Sequence, residues 1–551
     1  MSIETRQRST SLQRFTGGLN NYWDQSSIDD AELASIINFE FTTNGSLISR
    51  PAIYAEKNGT TTILTPAESE PLDLIGTYIR QDGARFLVAV TDDKTWLYNI
   101  VAKTWTLIAT FRASDCTQYM NKVVLCSTTT SGGYWEAGTF HVTNMPHLGG
   151  IELLQNRFFG YGVEGTSTAN TVFWSDITTF GPSGEITSVW DWTDSTGNYY
   201  YVDIGSGDGQ WITAIAQGYN DLVIFRNKST YRYSFGDTPE NGVMQGMQQD
   251  IGAENKRCVV KFENSHYVLS GQTLYKYQNW LYYPLNAQKV NFVSNVLFTP
   301  RFEHALSVVG RRCIVWHNGA LYAYNFDTNT WSEWQTNTHA AYFITVPRQH
   351  EDEQEELYYG ISADADPENT GETDYALFRI ENKTTTLNGT EAIKCSIRTK
   401  IYDFNTPVEW KRLYYWAADV ASANPIKAIV YPVILPETPV VPNWDELSKD
   451  FDGETAFYTW DQLSKDDLSD INYGTWDNII TPSGGIQTVV SDFPTSSVQR
   501  LEVKLNQSLR FRRIYFELYL ECDGTPASSP VQLYSMTPMV GVKAKVARGA
   551  N

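Results

Sequence analysis

The chain has 551 residues, a formal net charge of −21, and an aromatic content of 14% that includes 33 Tyr and 17 Trp. So acidic a balance argues against a surface built to grip nucleic-acid phosphates, which requires clustered Lys and Arg, yet it would let a polyanion slide past without adhering. Richness in Tyr, Trp, Thr and Val with almost no helical periodicity predicts an all-β protein, and the length allows several domains or a few large ones.

The N-terminal stretch MSIETRQRSTSLQRF lacks the apolar core of a signal peptide, and no run of about 18 apolar residues follows anywhere. Six cysteines, Cys116, Cys126, Cys258, Cys313, Cys395 and Cys522, are scattered without CxxC spacing. The expectation is a chain made and folded in a reducing cytoplasm, without a disulfide framework, a zinc site or a membrane segment. Residues 15–53, FTGGLNNYWDQSSIDDAELASIINFEFTTNGSLISRPAI, open on Gly-Gly-Leu-Asn. They predict a short helix capped at Ser27, with Asp30 three residues on. A hairpin turning at Asn44-Gly45 follows. This arm is assigned residues 1–55.

From residue 85 to about 380 an apolar strand, a turn and a Tyr- or Trp-rich strand recur. FLVAVTDDKTWLYN (86–99), LVIFRNKSTYRYSF (222–235), YVLSGQTLYKY (267–277) and CIVWHNGALYAYNF (313–326) are clear copies, and weaker ones begin near Val123, Phe158 and Leu357. Alternation and polar turns make these β-hairpins. Most intervals between their starts are 35 to 46 residues, the period of a four-stranded propeller blade, and one longer interval carries an insertion around 176–210. LYNIVAKTW (97–105) and AYNFDTNTW (323–331) align without a gap, in the manner of kelch-type blades. A β-propeller of about six or seven blades is expected over 56–385, with stacked β-sandwiches as the alternative.

Strands at 393–404, 409–420 and 426–434 begin a different pattern, resumed at 498–505 and 509–522. In the last, Ile514, Phe516, Leu518 and Leu520 share one face. A β-sandwich-like domain over 386–551 fits, interrupted at about 436–490. That interruption repeats itself: Trp444-Asp445, Trp460-Asp461 and Trp476-Asp477 lie sixteen residues apart. In each unit the Asp can cap a single turn while the Trp and the Leu or Ile three residues on plug one apolar surface. Structural pegs holding a polar loop on the sandwich are the preferred reading. Sugar binding on exposed Trp faces and contact with another protein or subunit are the alternatives.

Chemistry is sparse. SGDGQW (206–211) approaches the Asp-box turn of sialidase-like propellers but is too short, leaving Asp208 as a weak glycosidase candidate. The seven histidines, His141, His147, His266, His304, His317, His339 and His350, form no ligand spacing, and no GxSxG or P-loop occurs. The acidic runs 351–356 and 364–374 lack EF-hand spacing and read as solvated loops. Arg311, Arg312, Arg510, Arg512 and Arg513 are expected to pair with acids across strands or subunits. No catalytic, cofactor or metal site is assigned.

The N-terminal "GGLN", the acidic stretch after it and the closing G-x-L-x-x-R-P (45–51) resemble the opening of a family of phage proteins. Residues 222–235 and DIGAENKRCVVKFENSHYVLSGQTLYKY (250–277), with its Ile-Gly turn and GxxLY strand, are similar to the propeller core of the same group. The family is the tail nozzle or tail hub (tail tubular protein B-like) of short-tailed bacteriophages, and the resemblance spans most of the chain through short motifs. It implies a non-enzymatic virion protein forming a hexameric ring below the portal and adaptor. Implied partners are further copies of the chain, the head-to-tail adaptor, and tail fibres or spikes. DNA would pass through the lumen without specific binding. The rival readings are a carbohydrate-binding or glycosidase-like propeller and a receptor-binding tail protein.

Overall fold

The computed structural model describes residues 6–9, 15–58, 61–62, 66, 72–182, 186, 188–205, 207–236, 238–292, 304–317, 320–335, 340–346, 356–361, 377–384, 387–388, 391–404, 410–422, 426–434, 486–490, 498–522 and 530–542. The Trp-Asp repeats and the acidic loops 351–355 and 364–374 lie outside these residues.

Seven four-stranded antiparallel units follow one another along the chain, six of them separate sheets and the sixth in order part of a ten-stranded sheet. Their innermost strands are Asp73–Ile79, Asp115–Tyr119, Gly150–Leu154, Ile212–Gln217, Val259–Phe262, His304–Val309 and Ala340–Val346. Each touches the next, and the seventh touches the first, so the sheets close as seven blades around an axis. The chain is a β-propeller, numbered here as blades 1 to 7 from these strands.

The apolar strands recognised in the sequence are the second strand of each blade: Arg85–Val90, Lys122–Cys126, Arg157–Tyr161, Asp221–Arg226, Ser265–Ser270, Arg312–His317 and Glu356–Ile361. Neighbouring blades cover both faces of such a strand, which therefore reads as a continuous apolar run. Val88, Val124, Phe158, Ile224, Val268 and Val315 are all fully buried. The insertion anticipated around 176–210 sits in blade 3, between Thr171–Trp174 and Tyr200–Asp203, and buries Val189 and Trp192. The two gapless copies share one turn geometry. The Asn99 side-chain oxygen accepts from the amides of Val101 and Ala102, and that of Asn325 from Asp327 and Thr328. Lys103 and Asn329 then take matching left-handed backbone angles of 57° and 55°.

Blade 7 takes its fourth strand from the other end of the propeller. Pro51–Ala55, which precedes blade 1, pairs with Leu377–Thr384, placing Ile53 opposite Ile380. The next residue, Glu56, is buried and receives Lys103 of blade 1 and, at 3.7 Å, Nη1 of Arg379 of blade 7. One carboxylate thus ties the two blades at the seam.

The expected N-terminal helix is replaced by turns. The Asp24 carboxylate accepts from the Ser26 amide, and Ser27 N–H donates to Asp24 C=O at 2.7 Å. Asp and Ser in this run satisfy their own backbone locally, which competes with helix formation. The following Glu32–Ile37 is a strand with partners on both sides. The hairpin at Asn44-Gly45 forms between Phe39–Phe41 and Leu47–Ser49.

These N-terminal strands enter two further sheets. One orders Phe39–Phe41, Leu47–Ser49, Gln532–Val542, Lys411–Ala421 and Gln499–Phe511, with Arg6–Ser9 also on Gln532–Val542. The other continues blade 6 through its outer strand Thr330–Trp334 into Glu32–Ile37, Cys395–Thr399, Ile514–Cys522, Ile426–Ile434 and Ile486–Val490. Ile514, Phe516, Leu518 and Leu520 are buried against Leu413, Trp416, Val420, Phe511 and Val540 of the first sheet, a sandwich core. The same core runs on into residues of blades 4 to 6, including Phe225, Leu269 and Trp331.

Candidate functional site at the propeller axis

A blade of four antiparallel strands returns the chain to the end at which it began. Among the described residues, the linkers between blades therefore lie at one end of the axis, together with the turns between second and third strands. A cavity of about 260 Å³ opens there. Ser114, Asp115, Tyr161, Glu164, Glu254 and Lys256 are among its lining residues.

The segment Glu254–Cys258, between blades 4 and 5, spans this mouth in both directions. Lys256 extends its ammonium to the Asp115 carboxylate of blade 2 and donates to the Ile151 carbonyl of blade 3 at 3.1 Å. Asp115 also accepts from the Ile151 amide at 2.8 Å. Burial by itself would lower the Lys256 pKa, but Asp115 and Glu152 outweigh it and hold the ammonium above its ordinary range. Burial pushes the Glu152 carboxyl the other way, up to about 6, against the opposing pull of Lys256. On the other side, Glu254 meets Nδ1 of His304, the first residue of the blade 6 inner strand. The His304 ring lies 4.5 Å from that of His317, its direct cross-strand partner. Burial, then His304, lowers the His317 pKa to about 4.

This arrangement ties the linker between blades 4 and 5 to blades 2, 3 and 6. Its lysine is engaged by a carboxylate and a carbonyl, and its histidine by a carboxylate. Among the described residues no group of three His, Cys, Asp or Glu is placed to hold a metal ion. Cys116, Cys126, Cys258, Cys313 and Cys395 are buried free thiols, and burial pushes those of Cys126, Cys258 and Cys395 up to about 12.

Asp208 is not part of this mouth's lining. Its two oxygens face the guanidinium of Arg226, whose Nη1 lies 2.8 Å from Oδ2. Arg226 is fully buried and also donates to the carbonyls of Gly205 and Gln210. GDGQW (207–211) is therefore a turn folded around an arginine, with Asp208 as its anchor. Arg311 pairs with Glu263 and Asp327, and Arg312 with the buried Glu40. Arg512 stands over the Trp410 ring at 5.1 Å. His141 stacks on Tyr134, and His266 donates Nε2–H to the Gln217 carbonyl at 3.0 Å.

The residues quoted for the N-terminal resemblance are structural seats. A Cβ on Gly17 would fall 2.4 Å from Cγ of Glu32, and Gly18 adopts φ 81°, so neither position accepts a side chain. Asn20 donates to Glu32, which also takes Lys289 at 2.8 Å. The axial clasp itself escaped the sequence. Asp115 and Lys256 are 141 positions apart, and the only signal was a charged cluster, Glu254-Asn255-Lys256-Arg257, in a linker between two blades.

The chain is thus a seven-bladed β-propeller built into a β-sandwich. No protein-family model matches it, and no curated protein sequence matches it. Among solved structures it is similar to streptogramin B lyase, with TM-score 0.36 and 11% identity over 60% of this chain and 98% of that one. It is also similar to YCF48 from Cyanidioschyzon merolae, with TM-score 0.37 and 9% identity over 60% and 98%. The WD40 β-propeller domain of Doa1 gives TM-score 0.38 and 7% identity over 60% and 96%. These are likenesses of form, and they assign neither an activity nor a ligand.

Proposed function

We propose that this chain is a structural, non-enzymatic subunit of a short phage tail. In this reading it forms the nozzle or hub ring below the portal and adaptor and conducts DNA at genome ejection. The observation that carries the reading is the continuity of the molecule. Blade 6, the N-terminal strand Glu32–Ile37 and the C-terminal strands share one sheet, and the arm that supplies this strand also closes blade 7. Such interlocking suits a part that must hold its shape under load. The sequence resemblance points to the same class, and the net charge of −21 suits a wall along which a polyanion slides.

The DNA path in this reading lies between subunits. The axial mouth is a cavity of about 260 Å³ crossed by the Lys256–Asp115 clasp, far too small for a duplex whose major groove alone is about 12 Å wide. A lumen lined more by Asp and Glu than by Lys and Arg would act on DNA only within about 8–10 Å at physiological salt. A glycosidase role gains no support from Asp208, which is engaged by Arg226.

Electron microscopy of the purified full chain tests the proposal. Rings with an open centre wide enough for duplex DNA are expected. Monomers, trimeric spikes, or turnover of a polysaccharide that is lost in Asp208→Asn would overturn it.

A further inference from the structure

Every exposed aromatic among the described residues of the propeller, apart from Tyr219, lies on blade 3 or blade 5. Both groups sit at the outer edge of their blade, on or beside a fourth strand that has no further partner among the described strands. Exposed aromatic edges of this kind are rarely left bare in a finished assembly.

The blade 5 edge is held in an unusual way. Its last hairpin turns through Asn279 and Trp280, with φ 51° and 69°. Both central residues of such a turn need left-handed backbone, and the second is normally glycine. A tryptophan there is sterically costly, which points to a use for its ring. The Arg232 guanidinium stacks 3.3 Å from the Trp280 ring centroid and is itself paired with buried Asp221. The indole is therefore rigid while 43% exposed. Leu281 and Tyr283 continue the exposed edge, and Lys276 stands directly across from Tyr283. Residues 273–284 contain one lysine, Lys276, and no acid.

The blade 3 edge has the opposite sign. Phe180, Tyr199 and Tyr201 are exposed, with Tyr199 and Tyr201 braced on Phe173 at 6.0 and 6.3 Å between ring centroids. The described residues of 175–203 carry four acids, Asp176, Asp191, Asp194 and Asp203, and neither Lys nor Arg.

We infer that the blade 5 edge of one copy docks on the blade 3 edge of a second copy of this chain. Rigid aromatics form the centre of such a contact, and opposite charge sets its register. The two faces differ, so the contact is heterologous. Repetition of it closes a ring or extends a filament instead of stopping at a twofold dimer. The inference rests on the ring reading above and names the surfaces that would build the ring.

The test uses complementary full-length variants, Trp280→Glu and Tyr201→Glu, followed by sedimentation velocity. Each alone keeps one intact face and should remain monomeric, with apparent affinity at least about thirtyfold weaker than wild type. Mixed together they should form 1:1 dimers and nothing larger, because only one good interface can then form. Leu281→Glu and Phe180→Glu, at neighbouring exposed positions, provide a second pair should either first variant melt early. Variants that assemble like wild type would overturn these surfaces while leaving the ring reading intact. Wild-type chain that stays monomeric at every concentration would overturn both.

Discussion

Arg50 donates Nε–H to the side-chain oxygen of Asn38 at 2.8 Å, and both residues are almost wholly buried. Around this bond three parts of the molecule meet. The same Asn38 oxygen accepts from the Gln335 amide at the end of blade 6, and the Asn38 side-chain amide donates to the Lys394 carbonyl ahead of the sandwich strand. Arg50 reaches the carbonyls of Pro51 and Gln335 as well. Arg50→Ala would strand buried acceptors and should cost about 3–5 kcal/mol in urea unfolding. Arg50→Lys should recover little of this, since one ammonium cannot serve the three directions of a guanidinium. Full stability in Arg50→Lys would show that charge, not geometry, matters here.

The seam of the propeller depends on a strand borrowed from before blade 1. Ile53→Asp places a charge opposite Ile380 in a buried row. It should raise amide exchange in Pro51–Ala55, Leu377–Thr384 and the blade 1 turn that holds Lys103, while blades 3 and 4 keep their protection. Uniform loss of protection in all seven blades would mean that the seam is no weaker than the rest.

Asp208 is expected to matter for stability and not for catalysis. Hydrogen bonding to Arg226 holds its carboxyl below the ordinary carboxylate range. A lowered folded-state pKa adds stability that is present above the unfolded value near 4 and is lost as pH falls through the folded value. Asp208→Asn should lower stability at neutral pH by weakening the partner of a buried guanidinium, by no more than about 1 kcal/mol because solvent screens the exposed carboxylate. It should also flatten the acid limb of the stability curve below pH 4. An unchanged acid limb would disprove the linkage.

Two buried imidazoles should make the propeller acid-sensitive at a higher pH. Burial lowers His266 and His317 to about 4 each. Both are held neutral in the fold, and the unfolded chain binds protons first, from about pH 6.5 downward. Stability is therefore complete above about 6.5 and declines as pH falls toward 4, on the order of 3 kcal/mol for each imidazole by the lower limit. Around His317 stand His304 and Glu254, and that single carboxylate is already engaged by His304. His317→Phe should reduce the slope of the unfolding midpoint between pH 6.5 and 4.5, and His266→Phe should do so independently. A slope unaltered in both variants would assign the acid sensitivity to other groups.

Much of this fold was written locally. Each blade's second strand is apolar along its length because neighbours cover both faces, and in blades 1 to 6 the third carries Tyr or Trp. Seven copies of that signal stood in the sequence at blade spacing, and the Asn99 and Asn325 turns were legible as a gapless repeat. The alternation of Ile514, Phe516, Leu518 and Leu520 likewise announced a half-buried strand. Tertiary structure decided the rest. Glu32–Ile37 is a strand because partners on both sides satisfy its backbone, a gain that local capping signals at Ser27 do not register. The pairing of Pro51–Ala55 with Leu377–Thr384 and the meeting of Lys256 with Asp115 join residues far apart in the chain. Periodicity reports which face of a segment avoids water, but not which distant segment covers it, so the seam and the axial clasp emerge only when the ring closes.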